Sequence, residues 1–436
     1  MPFPHRIAQR RFVAATAATV AAALLAAGCS SSASGGSASG GSASGGVVHL
    51  SMLTGFTGPD EPSYQALIKE FNATHPDIQV TMTVEPWATV AQKLPASWAT
   101  GQGPDLATPS SDPGSIFNYI KTNSVLDLSS AAGTSASKID TAAFPSSVTS
   151  AFTVDGKLYA VPANLATLVL YYNKDMFAKA GISGPPTTEA DFIADAKKLT
   201  LTSGGKTSQY GLSLADNQTI QMWPILQWMS GGDIIGKNNC AVINDQASVA
   251  ALSQWSQLVM QDHISPVGQT GADADTLFSS RKAAMEINGP WAADGYKSAG
   301  INLGIAEVPV GSAGPVTLGS TVPLMIEKST PHAAQAEEFL AWYTGKTAQE
   351  KFSQVSGFPP SRTDVTSAVS SNPTVSVFAK ALPYARLYLA GQPNATQIDT
   401  DVYVPLIQKI TRGANVQSSA DAAAAQINQL TGCKSS

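Results

Sequence analysis

Trp291 closes the stretch KAAMEINGPW, residues 282–291, and the way it is mounted makes it a candidate for binding. Ala283, Ala284, Met285 and Ile287 read as a short buried strand, and Asn288-Gly289-Pro290 turns the backbone sharply at its end. Gly289 permits close backbone approach and Pro290 limits φ, so the indole is held stiffly and would lose little entropy on meeting a ligand. The same indole could equally cap a core strand. Trp87, which follows Glu85-Pro86, and Trp223, five residues before Trp228, are further indoles with the same two readings. The chemistry that such rings offer is recognition. An aromatic face packs on the apolar side of a small ligand, while a small number of polar groups fix its orientation.

Catalytic chemistry has no comparable footing. Neither G-x-S-x-G nor H-E-x-x-H occurs, and His5, His49, His75, His263 and His332 show no metal-ligand spacing. No G-x-x-x-x-G-K-[ST] loop is present, and no motif calls for a cofactor or a metal. The net charge is −5 and the Lys and Arg are scattered, which argues against a nucleic-acid surface. With 43% hydrophobic and 13% charged residues and a mean hydropathy of +0.01, the composition is that of a globular protein. Its 436 residues are too many for one small core and suit two domains. A repeat-built adhesive protein is not indicated, because outside one short linker there are no repeats.

The N-terminal region reads as an export and tethering device. Residues 1–28 carry Arg6, Arg10 and Arg11 ahead of an apolar stretch from Phe12 to Ala27, the pattern of a signal peptide. Leu25-Ala26-Ala27-Gly28-Cys29 resembles a lipobox, with Cys29 as the lipidated residue and its Leu one position further from the Cys than usual; an ordinary secretory signal is the alternative. Arg10-Arg11 is compatible with twin-arginine export. Residues 29–46 then form a Ser/Ala/Gly linker whose reach as a flexible coil is on the order of 20–25 Å. With Cys29 lipidated, Cys240 and Cys433 remain, an even number in an oxidising compartment, and a disulfide between them is favoured over two free thiols.

From Val47 onward strands alternate with helices, the pattern of an α/β fold. Val47–Leu53 reads as a strand, and the loop leaving its carboxyl end holds Phe56, Thr57 and Asp60. Open α/β sheets bind ligands at such strand ends, so this loop is a candidate wall. Trp87 sits at the end of the next strand, Ile78–Val84, and Ser110-Ser111-Asp112 at the end of a third, residues 104–107. Asp155-Gly156-Lys157 marks a hairpin between Phe152 and Leu158.

Several of these segments resemble one family. Residues 282–291 are similar to the A-M-x-x-N-G-P-W segment of bacterial extracellular solute-binding proteins of the maltose-binding type, the receptors of ABC importers. Tyr159–Gly181, YAVPANLATLVLYYNKDMFAKAG, resembles that family's Y-x-x-P…L-x-Y-N-K-D segment. Gly103-Pro104-Asp105, FNATHPDIQV and Gly357-Phe358-Pro359-Pro360-Ser361-Arg362 match further motifs in the family's order. The resemblance implies an α/β two-lobe periplasmic-binding-protein fold with three interlobe crossings and a central ligand cleft. The first lobe would comprise residues 47–162 plus 319–360, and the second 163–318 plus 361–436. It further implies a lipid-anchored monomer on the outer face of the cytoplasmic membrane. This receptor would close by hinge motion on a small carbohydrate and pass it to permease subunits of an ABC transporter.

By the same analogy Ser110, Asp112 and Asn164 would present polar groups to a sugar and Gly289 and Trp291 would face them; Trp223, if not core, would reach the cleft, and Tyr384, Arg386 and Tyr403 would contribute late. Glycerol 3-phosphate or a glycerophosphodiester is the alternative ligand. Against it, Gln397-Ile398 precedes Asp399 where glycerol-phosphate receptors carry an Arg. An exported hydrolase is the remote alternative.

Overall fold

A computed structural model describes residues 46–433 apart from 111–112, 136, 219–221, 366–368 and 370. β1 (Val48–Thr54) alternates buried and open positions, and Leu50 and Met52 point into the core. The following helix, Glu61–Thr74, buries Tyr64, Leu67, Ile68 and Phe71, the i, i+3, i+4, i+7 stripe that lays a helix on a sheet. β2 (Ile78–Val84) and β3 (Leu106–Ala107) run parallel to β1 on its two sides. Between them runs the helix Trp87–Ala99, so Trp87 belongs to its first turn. The expected hairpin forms from β4 (Thr153–Val154) and β5 (Lys157–Leu158), with Asp155 at φ 51° and Gly156 at φ 76°.

The long strand β6 (Val161–Thr167) then leads into β7 (Val169–Asn173), where a second sheet begins. This sheet also contains β8 (Leu201–Ser203), β9 (Lys206–Ser213), β10 (Ala283–Asn288) and β11 (Leu303–Ala306), in the order β11-β7-β10-β9-β8. β12 (Thr317–Ile326) returns to the first sheet, where its carboxyl end pairs antiparallel with β3. Its amino end pairs parallel with β13 (Ala385–Leu387).

Each sheet carries its own apolar core. One is built from residues 50–166 and 322–358, with Phe71, Leu106, Phe339 and Phe352 at its centre. The other draws on residues 168–318 and 398–427, with Trp223, Trp255, Met285 and Ile407 enclosed. The chain passes between the cores along β6, along β12, and again in the segment after Phe358. β6 and β12 pair antiparallel from Val161↔Leu324 to Thr167↔Gly319, so two of the crossings form one ribbon. Side-chain bonds lock that ribbon. Thr321 donates to the Asn164 carbonyl at 2.8 Å, Thr317 to the Leu168 carbonyl at 2.6 Å, and Thr167 to the Phe378 carbonyl at 2.8 Å. Two sheets with separate cores, joined by a narrow ribbon, can pivot about it while each side stays intact.

Candidate functional site

A cleft of about 470 Å³ opens between the two sheets. Its first wall is the loop after β1, Gly55 to Gly58 with Asp60, together with Trp87. Its floor is Asn164, Ser320, Val322 and Phe358, from the ribbon and the third crossing. Its second wall holds Ala215, Met222, the start of the helix Gly271–Ser279 with Asp275, and Glu286, Ile287, Asn288 and Trp291.

The two cleft indoles are seated alike. Trp87 lies over the backbone of Gly55, where an added Cβ would stand 2.0 Å from the ring, and Trp291 lies over Gly289, where it would stand 2.3 Å away. Both rings are half-buried. Trp291 touches apolar clusters on both sides of the cleft and meets Phe358 with ring centroids 6.3 Å apart. It is thus both a cleft surface and a packing element. Phe56 is 5% exposed, its ring stacked on Tyr64 at 3.9 Å and edge-on to Trp87 at 5.4 Å, so it backs the first wall. Thr57 is exposed at the rim. Asn164 lines the floor, but its amide already donates to the Tyr64 hydroxyl at 2.7 Å and accepts from the Val322 amide at 3.3 Å.

The cleft is acidic. Burial pushes the Asp60 carboxyl up to about 6, aided by the neighbouring Glu61 and opposed by hydrogen bonds from its own backbone and from Tyr64. Across the gap, Glu286 is 3% exposed and accepts from the Tyr296 hydroxyl at 2.5 Å. Asn288 donates to Asp275 at 2.7 Å and to the Tyr296 oxygen at 2.9 Å. Burial, and then the charge of Asp275, hold Glu286 well above the usual carboxylate range, and burial also raises Asp275. Among the described lining residues there is no Lys, Arg or His.

Other expected contributors lie elsewhere. Trp223 is fully enclosed in the second core, where its indole N–H donates to the Ala215 carbonyl at 3.0 Å; it is Met222, beside it, that reaches the cleft. The helix Met222–Met229 is buried on every side, so most of its side chains, Trp223 among them, pack away from the cleft. Tyr384 and Arg386 line a separate depression with Trp228 and Asp233. Tyr384 donates to Glu307 at 2.6 Å, and Arg386 is held by Asp233 and lies over the Trp228 ring, 4.6 Å from its centroid. Pairing of β13 with the amino end of β12 takes both residues away from the cleft. Ser110 is half-buried beyond β3 and does not line the cleft, while Asp112 and Cys29 lie outside the described residues. Cys240 and Cys433 are bonded, with Cα atoms 5.1 Å apart.

Asp275, Glu286, Ser320 and Phe358 line the cleft without having been singled out as ligand contacts in the sequence. Glu286 did carry a signal: it is the one charged residue in a buried strand that is otherwise apolar up to Asn288. Asp275 follows Gly271 and Ala272 by one helical turn and lines the cleft with them and with Ala274.

A family model described as bacterial extracellular solute-binding protein matches residues 57–350. The chain is 25% identical over 332 residues to the arabinooligosaccharide-binding protein of Bacillus subtilis (strain 168), covering 72% of this chain and 73% of that one. In structure it resembles the GacH receptor of Streptomyces glaucescens GLA.O, solved unliganded and with acarbose. The TM-score is 0.78 at 22% identity, over 89% of this chain and all of the other. UgpB from Mycobacterium tuberculosis, solved with glycerophosphocholine, overlays with a TM-score of 0.76 at 20% identity, over 89% and 99% of the two chains.

Proposed function

Because this chain belongs to the bacterial extracellular solute-binding proteins, an exported family that binds rather than catalyses, we propose that it captures a sugar or short oligosaccharide and delivers it to the permease of an ABC importer. The observation that carries this reading is the pair of indoles on opposite walls of one cleft, Trp87 and Trp291, with Asp60, Ser320 and Asn288 between them as hydrogen-bonding groups. Such a cleft supplies apolar faces for the ring and acceptors for its hydroxyls. A ligand that touches both walls favours the closed arrangement over the open one, and that difference drives hinge closure about β6 and β12. The lobes would divide as residues 47–162 with 319–360 against 163–318 with 361–436. Lipidation at Cys29 and the linker to Gly46 would keep the receptor near the membrane and free to turn.

A glycerophosphodiester is the lesser reading. A phosphate asks for Arg, Lys or clustered N–H donors, and the described cleft offers three carboxyl groups instead. A thermal-shift screen with sugars, polyols and glycerophosphates tests this, because a ligand at 100 times its Kd stabilises by about 2.7 kcal/mol. Stabilisation by glycerophosphates alone would reverse the assignment.

A further inference from the structure

Asp275 and Glu286 stand together on the second wall of the cleft, and among the described residues the side chains that donate to them are neutral, the Tyr296 hydroxyl and the Asn288 amide. Asp60 faces the same cavity from the first wall. Among the described lining residues three acids face no base, and a buried carboxylate without a cation is costly unless it keeps its proton, as Glu286 does beside Asp275. A second feature points the same way. The half-buried indole faces of Trp87 and Trp291 attract cations as well as C–H groups, since the ring quadrupole is negative over its face.

We propose that the ligand is a sugar carrying a basic nitrogen, whose ammonium lies against Asp275 and Glu286 while its ring is held by the indoles. This rests on the carbohydrate-receptor reading and narrows it. An ammonium supplies N–H donors and a positive charge together, so on binding it replaces the proton that keeps Glu286 neutral beside Asp275 and leaves both carboxylates paired. An anionic sugar or a phosphate meets the same acids as repulsion.

The test is calorimetric titration of the full-length chain with matched pairs: glucosamine and glucose, galactosamine and galactose, the β-1,4-linked glucosamine disaccharide and cellobiose, with sn-glycerol 3-phosphate as the anionic arm. The aminated member of the pair that binds should be tighter by about tenfold or more, since hydrogen bonds to charged groups exceed neutral ones by that margin. Asp275→Asn and Glu286→Gln should each shrink that ratio toward one, and thermal melts confirm that both variants are folded. Gln at position 286 keeps the acceptor for Tyr296. Equal or tighter binding of the neutral member, or a preference that survives both substitutions, overturns the inference and leaves the sugar receptor standing. Binding of glycerol phosphate with neither sugar series bound overturns both.

Discussion

Gly289 lies directly beneath the indole of Trp291, so close that a Cβ on Gly289 would stand 2.3 Å from ring carbons Cη2 and Cζ3. Its φ is −90°, which any residue can adopt, so glycine is required here for space and not for conformation. Gly55 and Trp87 repeat the relationship across the cleft. A glycine that lets an indole fold flat over the backbone fixes where the ring's free face points.

Gly289→Ala should therefore displace Trp291 at a strain of about 1–3 kcal/mol. Affinity should fall more than stability, and Gly55→Ala should do the same through Trp87. Calorimetry beside urea denaturation checks this; undiminished affinity in both variants would remove the indoles from the site.

Trp291→Ala should weaken ligand binding by about 2–4 kcal/mol, the usual loss for an aromatic anchor in a desolvated pocket. Because the ring also packs on Phe358 and on both cores, unfolding free energy should fall too. The loss should be smaller than the ~3–5 kcal/mol of a fully enclosed aromatic. A full-sized stability loss with unchanged affinity would make Trp291 a packing residue only.

Trp223→Ala should behave in the opposite sense. Its complete enclosure predicts a stability loss of about 3–5 kcal/mol, and a ligand-saturated sample should recover near-normal affinity at low temperature. A folded, stable variant that no longer binds would return Trp223 to the cleft.

Asp60 makes stability depend on pH. Its carboxyl is raised from 3.8 to about 6, so the folded state holds a proton that the unfolded chain releases more readily. The associated stability is fully present below about pH 4 and is lost as pH rises through about 6. Asp60→Asn should then raise the melting temperature at pH 7.5 and lose that advantage by pH 4, as scanning calorimetry at the two values would show. An equal gain at both would assign the effect to something other than titration.

The bond between Cys240 and Cys433 closes a loop across 193 positions and anchors the terminal helix Val416–Thr431 to the turn at Gly236–Cys240. Constraining so long a loop can contribute up to about 5 kcal/mol in the chain-entropy model. The Cys240→Ser, Cys433→Ser variant should unfold at lower urea while keeping ligand affinity, since neither residue lines the cleft. Two alkylatable thiols in the unreduced wild-type chain would contradict the pairing.

The chain's local sequence was enough to establish that strands alternate with helices, that Asp155-Gly156 makes a hairpin, that Asn288-Gly289-Pro290 ends a buried strand, and that the whole resembles a two-lobe receptor. These follow from short-range rules of periodicity, turn chemistry and motif order. It also placed the loop Phe56 to Asp60, Trp87 and Trp291 at strand ends or turns, which the fold gathers around one cleft. Tertiary structure decided which rings face that cleft. Trp223 and Met222 are neighbours in sequence, yet helix rotation against the second core encloses one and opens the other. Pairing partners decided the fate of Arg386, which β13 carries to Asp233 and Trp228 through its register with β12. The acid pair is likewise a tertiary product, because Asp275 and Glu286 belong to a helix and a strand whose packing alone brings their carboxyl groups together. Periodicity can state that a side chain is buried; what it is buried against depends on contacts distant in sequence.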